Sequence, residues 1–486
     1  MSKKEKQEIP LWARLGHGKP VSRRELLASG VISFSAYLVI PSWITLATST
    51  ANAQAAACGD AVASTLIPHL TLNLAGGAAL QANFVPHNQA DQRLDNYDRM
   101  GLGNSGVNLP IEMEFGSVPF AGKKPGTEIL ISQFLAGVRA NAPTAISRTA
   151  FVGVNSRGRD DSSENKLSTS GLLSQAGLRG SILPFVGTER TVSGIRQLPA
   201  IVKPSSPLIV NSLSSLSGSV VPASNLPDFL SAQQRSSLLT LISKLSSSQV
   251  RKLSSDAQGT ETKNLLECAN IKNEQVKSMI DAGAVVIDPR RDTKGAALSA
   301  VWGIDDGTGN NNESLVFASM AYNVLQGNAG AGALEIGGYD YHDNTRTTAN
   351  TRDFNAGAVV GRALETAAIL GKKLFIQVTT DGAVDSGEKL NNAGFESTWT
   401  SDRGNANVSY ILYFDPAGRA ATSGFQINYF TAGQESDEST ILGTNEGAAV
   451  AIFANYLKIN KRMDLLTGDA AAMLNGALLD KAIKFA

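Results

Sequence analysis

Two short segments carry side chains whose types and spacing suit the handling of a hard cation. Asp340 and His342 stand two apart in Gly337-Gly338-Tyr339-Asp340-Tyr341-His342-Asp343, and Asp381 closes Val378-Thr379-Thr380-Asp381. The D-x-H spacing puts a carboxylate and an imidazole on one loop, where both can meet one ion. Asp381, brought beside them from a neighbouring strand, would add a second hard oxygen ligand. One divalent cation held there (calcium, magnesium or zinc) would polarise an ester oxygen or activate water, which is metal-assisted hydrolysis. A plainer role fits the same residues: the acids cap loops and helix starts, and His342 hydrogen-bonds a backbone carbonyl. The hydrolytic reading depends on what brings positions 340 and 381 together.

Leu70–Leu74 alternates at period two and runs into Gly76-Gly77, which predicts a strand and a tight turn. Further strands are predicted at 150–154, 284–287, 332–336, 373–379, 408–414 and 425–430, and helices at 127–139, 262–281, 312–326 and 446–458. Another helix, capped by Thr351 or Asp353, carries Ala356, Val360, Ala363 and Ala367 on one stripe and stops at Gly371. Strand–helix alternation predicts an α/β fold with a mostly parallel sheet flanked by helices. Ligands of such sheets bind beyond the strands' carboxyl ends. Asp340 and Asp381 both fall there. Residues 205–256 hold 17 serines yet keep apolar residues at helical intervals, such as Leu238, Ile242 and Leu245. That predicts a Ser-rich helical insertion or cap over 205–282, dividing the core into 54–204 and 283–486.

The amino terminus reads as an export signal. Ser22-Arg23-Arg24-Glu25-Leu26-Leu27 resembles the twin-arginine motif of bacterial folded-protein export. An uncharged run from Leu26 to Gly59 follows, and Ala51-Asn52-Ala53 supplies a small-residue cleavage pattern. The expected product is a periplasmic or secreted protein beginning at Gln54, with residues 1–53 as the signal peptide and the export machinery as its partner. A retained anchor is the alternative for so long an apolar run. In the oxidising compartment Cys58 and Cys268 can pair, or stand too far apart to bridge.

Of the 43 basic and 43 acidic residues, seven basic and three acidic precede Gln54. The mature chain is therefore near −4, which excludes a general nucleic-acid binder. Two cysteines exclude a Cys-built zinc or iron–sulfur site. Asp305-Asp306-Gly307-Thr308-Gly309 has calcium-loop composition without the alternating ligand pattern, and reads as a turn-rich loop. No phosphate loop and no G-x-S-x-G elbow is present. His69 and His87 flank the first strand and its exit as structural residues.

Several stretches resemble the twin-arginine-exported, sulfatase-like bacterial family catalogued as domain of unknown function 1501. Leu74-Ala75-Gly76-Gly77-Ala78-Ala79-Leu80, with Val85-Pro86 and Tyr97-Asp98-Arg99 beyond it, resembles the family's opening strand and Gly-Gly-x-Asp-Gly turn. Gly337-Gly338-Tyr339-Asp340-Tyr341-His342 is similar to its Gly-Gly-Trp-Asp-x-His segment. Val378-Thr379-Thr380-Asp381 sits where the family has a strand ending in Ser-Glu-Phe-Gly-Arg, and Gly443-Thr444-Asn445-Glu446-Gly447 at its Gly-Thr-Asp-His-Gly. The resemblance implies an alkaline-phosphatase/sulfatase-like fold, metal ligands at those strand ends and hydrolysis of phosphate or sulfate esters. Ala79 replaces the family's first acid, Asn445-Glu446 replaces Asp-His, and the arginine beyond position 381 is missing. Asp340 and His342 carry over unchanged, Asp381 is an acidic substitute, and Glu446 could serve in a different arrangement. The expectation is a degenerate member with a degraded metal site, binding an unknown ligand or envelope partner rather than catalysing efficiently. The alternatives are a metal-dependent ester hydrolase on Asp340, His342 and Asp381, and an envelope assembly component contacting its partner through the Ser-rich block.

Overall fold

The computed structural model describes residues 66–83, 87–90, 108–109, 130–158, 169–178, 180, 183–188, 208–220, 286–341, 346–380, 382, 384–390, 397–402, 407–433 and 435–486. The predicted export segment with Arg23, Arg24, Ala51 and Ala53, both cysteines, most of the Ser-rich block, His342 and Asp381 lie outside these residues.

The strands are β1 (His69–Leu74), β2 (Asn108–Leu109), β3 (Leu130–Ile131), β4 (Thr149–Ser156), β5 (Leu183–Gly187) and β6 (Leu208–Ile209). They continue as β7 (Ala329–Ile336), β8 (Leu374–Thr380), β9 (Val384–Leu390), β10 (Ser397–Asp402), β11 (Asn407–Phe414) and β12 (Gln426–Ile427). The helices are α1 (Gln133–Asn141), α2 (Thr169–Gln175), α3 (Leu213–Val220), α4 (Gly295–Trp302) and α5 (Glu313–Leu325). After them come α6 (Arg346–Leu370), α7 (Asn445–Ile459), α8 (Gly468–Met473) and α9 (Gly476–Ala482).

Eight strands form one sheet in the order β12-β4-β11-β8-β1-β7-β5-β6. β11 runs antiparallel to both its neighbours, and the remaining pairings are parallel. The predicted α/β class is therefore the observed one. β1, first in sequence, lies in the interior between β8 and β7. Positions 340 and 381 thus follow strands that flank β1 and are not adjacent to each other.

Both sheet faces are covered. Leu70, Leu72, Ile376, Val378 and Leu412 pack with the helices α1, α5 and α6 in one apolar cluster. Val152, Val154, Phe375, Ile411 and Tyr413 pack with α2, α7 and the carboxyl-terminal helices in the other. On the first face α1 and α6 meet backbone to backbone. A Cβ on Gly357 would collide with the Phe134 carbonyl, and one on Gly137 with the Phe354 carbonyl. Glu365 of α6 ties the next turn down, accepting hydrogen bonds from Thr144 N (3.1 Å), Thr144 Oγ1 (2.6 Å) and Ala145 N (3.2 Å).

Three local expectations are corrected. Val286 and Ile287 are irregular rather than strand, because side chains take their carbonyls: Asn328 Nδ2 donates to Val286 O and Asn323 Nδ2 to Ile287 O. Thr351 and Asp353 lie inside α6, which begins at Arg346, so neither is its cap. Of the strand expected at 425–430, Gln426 and Ile427 pair with β4, and Phe430 makes only an isolated antiparallel bridge with Ser436. Asn428 ends it at φ 59° with Nδ2 bonded to Asn155 O, Ser436 Oγ and Asp437 O.

Candidate functional site

The carboxyl ends of β1, β7 and β8 meet around a single peptide. Ala75 N–H donates to Ile336 O at 3.0 Å, and Tyr339 N–H donates to Ala75 O at 3.0 Å, which draws the β7 loop onto the β1 turn. Gly76 then approaches Asp340 so closely that a Cβ would stand 2.5 Å from the Asp340 nitrogen. Its φ of 124° is a second reason for glycine there. On the opposite side, Gly382 N–H donates to Gly76 O at 2.9 Å. Thr380 Oγ1 accepts from Ala78 N (3.0 Å) and donates to Leu74 O (2.8 Å). The chain at 340 and at 382 therefore flanks Gly76 at one rim. The positions of the His342 and Asp381 side chains lie outside the described residues.

Asp340 is exposed between two buried tyrosines. Tyr339 Oη donates to Arg352 O at 2.7 Å, and Tyr341 Oη to Asp353 Oδ1 at 2.9 Å. Asn83 Nδ2 holds the other oxygen of Asp353 at 3.2 Å. Burial first, and then the charge of Asp353, push both phenols well above their ordinary range, so they remain donors. The loop is thus pinned to α6 on either side of the exposed Asp340. Tyr341→Phe removes a buried donor from Asp353 and is expected to cost about 1–3 kcal/mol. Urea denaturation beside the wild type checks this.

Glu446 reaches the same rim at a different place. Arg157 N–H, just past β4, donates to Gly443 O at 2.7 Å, and Thr444 Oγ1 caps α7 by accepting from Gly447 N at 3.1 Å. Glu446 is half-buried in that first turn. β4 is separated from β7 by β11, β8 and β1. At about 4.8 Å per strand, roughly 19 Å lies between the ends of β4 and β7. Ala79, at the position of the family's first acid, is fully buried among apolar neighbours. No group of three or more His, Cys, Asp or Glu able to hold a metal occurs among the described residues.

The calcium-like loop is closed by an arginine. The Arg290 guanidinium donates to Asp305 O (2.8 Å) and Thr308 O (3.2 Å) while bound to Asp288. Arg291 pairs with Asp306 at 3.1 Å. A fixed guanidinium serves these oxygens, which agrees with a turn-rich loop.

Sequence reasoning missed a row of polar side chains just below the rim. Asn73 is in register with Glu335 on one side and Thr379 on the other, and Ser409 of β11 lies beside Thr379. Asn73 Nδ2 donates to Glu335 Oε2 at 2.9 Å, and Ser409 Oγ donates to Thr379 Oγ1 at 3.2 Å. Asn73, Thr379 and Ser409 are fully buried and Glu335 is half-buried, so the row opens outward at β7. The alternation of His69-Leu70-Thr71-Leu72-Asn73-Leu74 held the signal. These residues occupy the polar face of β1, which α7 and its neighbours cover.

No family model matches this chain, and no curated protein matches it. Among solved structures, the alkaline phosphatase from the Antarctic bacterium TAB5 aligns over 82% of this chain and 98% of its own. The identity is 12% and the TM-score 0.25. So slight a likeness bears no weight for fold or chemistry, and membership of the α/β class rests on the sheet itself.

Proposed function

We propose that this is an exported member of the sulfatase-like family whose rim binds a ligand rather than hydrolysing an ester efficiently. The observation that carries this reading is the chemistry beneath Gly76. Where a metal hydrolase needs carboxylates and imidazoles, the buried wall of the rim offers the Asn73 amide and the hydroxyls of Thr379 and Ser409. Ala79 is an apolar core residue, and Glu446 lies in the first turn of α7, which is held at the end of β4. These donors do not fit a two-metal ester hydrolase. Neutral amides and hydroxyls do fit recognition by hydrogen bonds.

A second reading keeps one hard cation (calcium, magnesium or zinc) on Asp340, His342 and Asp381, with phosphate or sulfate ester hydrolysis. It is favoured by the approach of the chain at 340 and 382 to opposite sides of Gly76. One preparation separates the two readings. Protein recovered from the periplasm is expected to begin at Gln54, to carry well under one metal per chain and to leave aryl phosphates and sulfates intact. A stoichiometric metal, lost together with ester cleavage in Asp340→Ala, would instead establish the hydrolase.

A further inference from the structure

We propose that Asn475 is a site of spontaneous covalent modification, at which its side-chain amide is lost through a cyclic imide formed with Gly476. Asn475-Gly476 is the one Asn-Gly pair in the sequence. The Gly476 backbone nitrogen gives up its proton to solvent base and attacks the Asn475 side-chain carbonyl carbon. A carbon–nitrogen bond forms there, the bond to Nδ2 breaks, and that nitrogen takes up a proton and leaves as ammonia. Water then opens the five-membered imide at either of its carbonyls. The product is aspartate or isoaspartate, and the balance is one water consumed for one ammonia released.

Each requirement of that reaction is met between α8 and α9. Gly476 opens α9, and its N–H makes no hydrogen bond among the described residues, as first-turn donors often do not. No side chain shields this nitrogen, and nothing lies within 4 Å of where a Gly476 Cβ would stand. Asn475 is exposed. An asparagine at a helix start ordinarily accepts from the second or third N–H, but the Asn475 side chain caps nothing. Its Nδ2 donates to Ala472 O at 3.2 Å, the long end of the usual range. Attack needs Asn475 to turn from its extended ψ of 154°, which opens the bond from Leu478 N to Asn475 O. α9 has seven residues near the end of the chain, where first turns fray readily. Other asparagines lack this freedom. Asn328 is buried with Nδ2 on Asn323 Oδ1, and Asn460 holds Ile67 N and Tyr456 O.

The two products differ in what they do to the carboxyl-terminal segment. Leu474 is buried just before the site, and the chain beyond α9 is sewn to α7. Asn455 Nδ2 donates to Ala482 O at 2.8 Å, and Asn455 Oδ1 accepts from Lys484 N (2.8 Å) and Phe485 N (3.3 Å). Phe485 is buried edge-on against Tyr413 at 6.0 Å. Aspartate keeps the backbone length between these anchors and places a negative charge at a helix start, where it is favourable. Isoaspartate inserts a methylene into the main chain, so Leu474 and Ala482 no longer fit their places together.

The test incubates the folded mature protein at mildly alkaline pH and follows the peptide containing position 475 by mass spectrometry. That peptide is expected to gain one mass unit and to separate into two isomers, faster as the pH rises, ahead of every other asparagine peptide among the described residues. Asn475→Gln, which would need a six-membered ring, should stay unmodified over the same period. Asn475→Asp should melt no lower than the fresh wild type, and the isoaspartate fraction of the aged protein should melt below it. Should the urea-unfolded protein gain the mass at 475 while the folded one does not, the fold protects the pair and the proposal fails. It fails equally if the folded protein is modified at other described asparagines before 475.

Discussion

Gly357→Ala is expected to destabilise the protein by about 3 kcal/mol or more, although it adds a single methyl group. In an exposed helix the change would gain about 1 kcal/mol from helix propensity. Here the new carbon would lie within the Phe134 carbonyl, with the Phe134 carbonyl carbon 2.8 Å and its Cα 3.1 Å away. The obstacle is backbone, so no rotamer change relieves it. α1 would have to move outward and take Phe134, Leu135 and Val138, all fully buried, with it. Gly137 and Gly361 make the same kind of approach from either side, so a pivot about Gly357 is blocked as well. Gly337→Ala is the control: nothing lies within 4 Å of its added carbon, and its effect should stay within about 0.5 kcal/mol. Urea midpoints at unchanged slope measure both. A Gly357→Ala protein unfolding at the wild-type midpoint would mean that the helices are not in backbone contact.

Acid lability is the second large effect. His69 is 1% exposed at the start of β1, stacked on Phe375 at 5.2 Å, and neither ring nitrogen has a hydrogen-bond partner. Burial pushes its pKa down from 6.5 to about 3. Between those values the unfolded chain takes up a proton that the folded chain refuses, so the unfolded state binds more protons and stability rises with pH. His69 therefore leaves stability untouched above about pH 6.5 and erodes it as the pH falls toward 3, by roughly 5 kcal/mol at the lower limit. His69→Phe keeps an aromatic ring between Phe375 and Tyr456 and removes the titration. Denaturation of both proteins at pH 7, 5 and 4 should show the difference widening in favour of the variant by about 1.4 kcal/mol per unit below 6.5. A difference independent of pH would show that the ring ionises freely in the folded protein.

The larger elements were legible because their signals are local. The stripe through Ala356, Val360, Ala363 and Ala367 and the left-handed stop at Gly371 define most of α6 without reference to the rest of the chain. α5, α7, β4, β8 and β11 were expected within a few residues of their observed limits for the same reason. The small helices α8 and α9 and the β9–β10 hairpin were missed. Their short runs carry too little periodicity to announce themselves. Nor could a propensity show that the carbonyls of Val286 and Ile287 would be claimed by Asn328 and Asn323.

For the site, the sequence alone determined that Asp340 and Asp381 follow strands, since hydrophobic period and turn glycines are written residue by residue. It left two matters open that depend on neighbours distant in the chain. One was strand order: β1 lies between β7 and β8, so the Gly76 peptide, approached from both sides, joins positions 340 and 382. The other was burial of the polar face. Alternation as regular as that of His69–Leu74 ordinarily leaves the polar side to water. Only when α2 and α7 cover that side do Asn73, Gln377, Thr379 and Ser409 become an interior wall. A residue's type sets which hydrogen bonds it can make, whereas the packed structure decides whether water, another side chain or a ligand is there to make them.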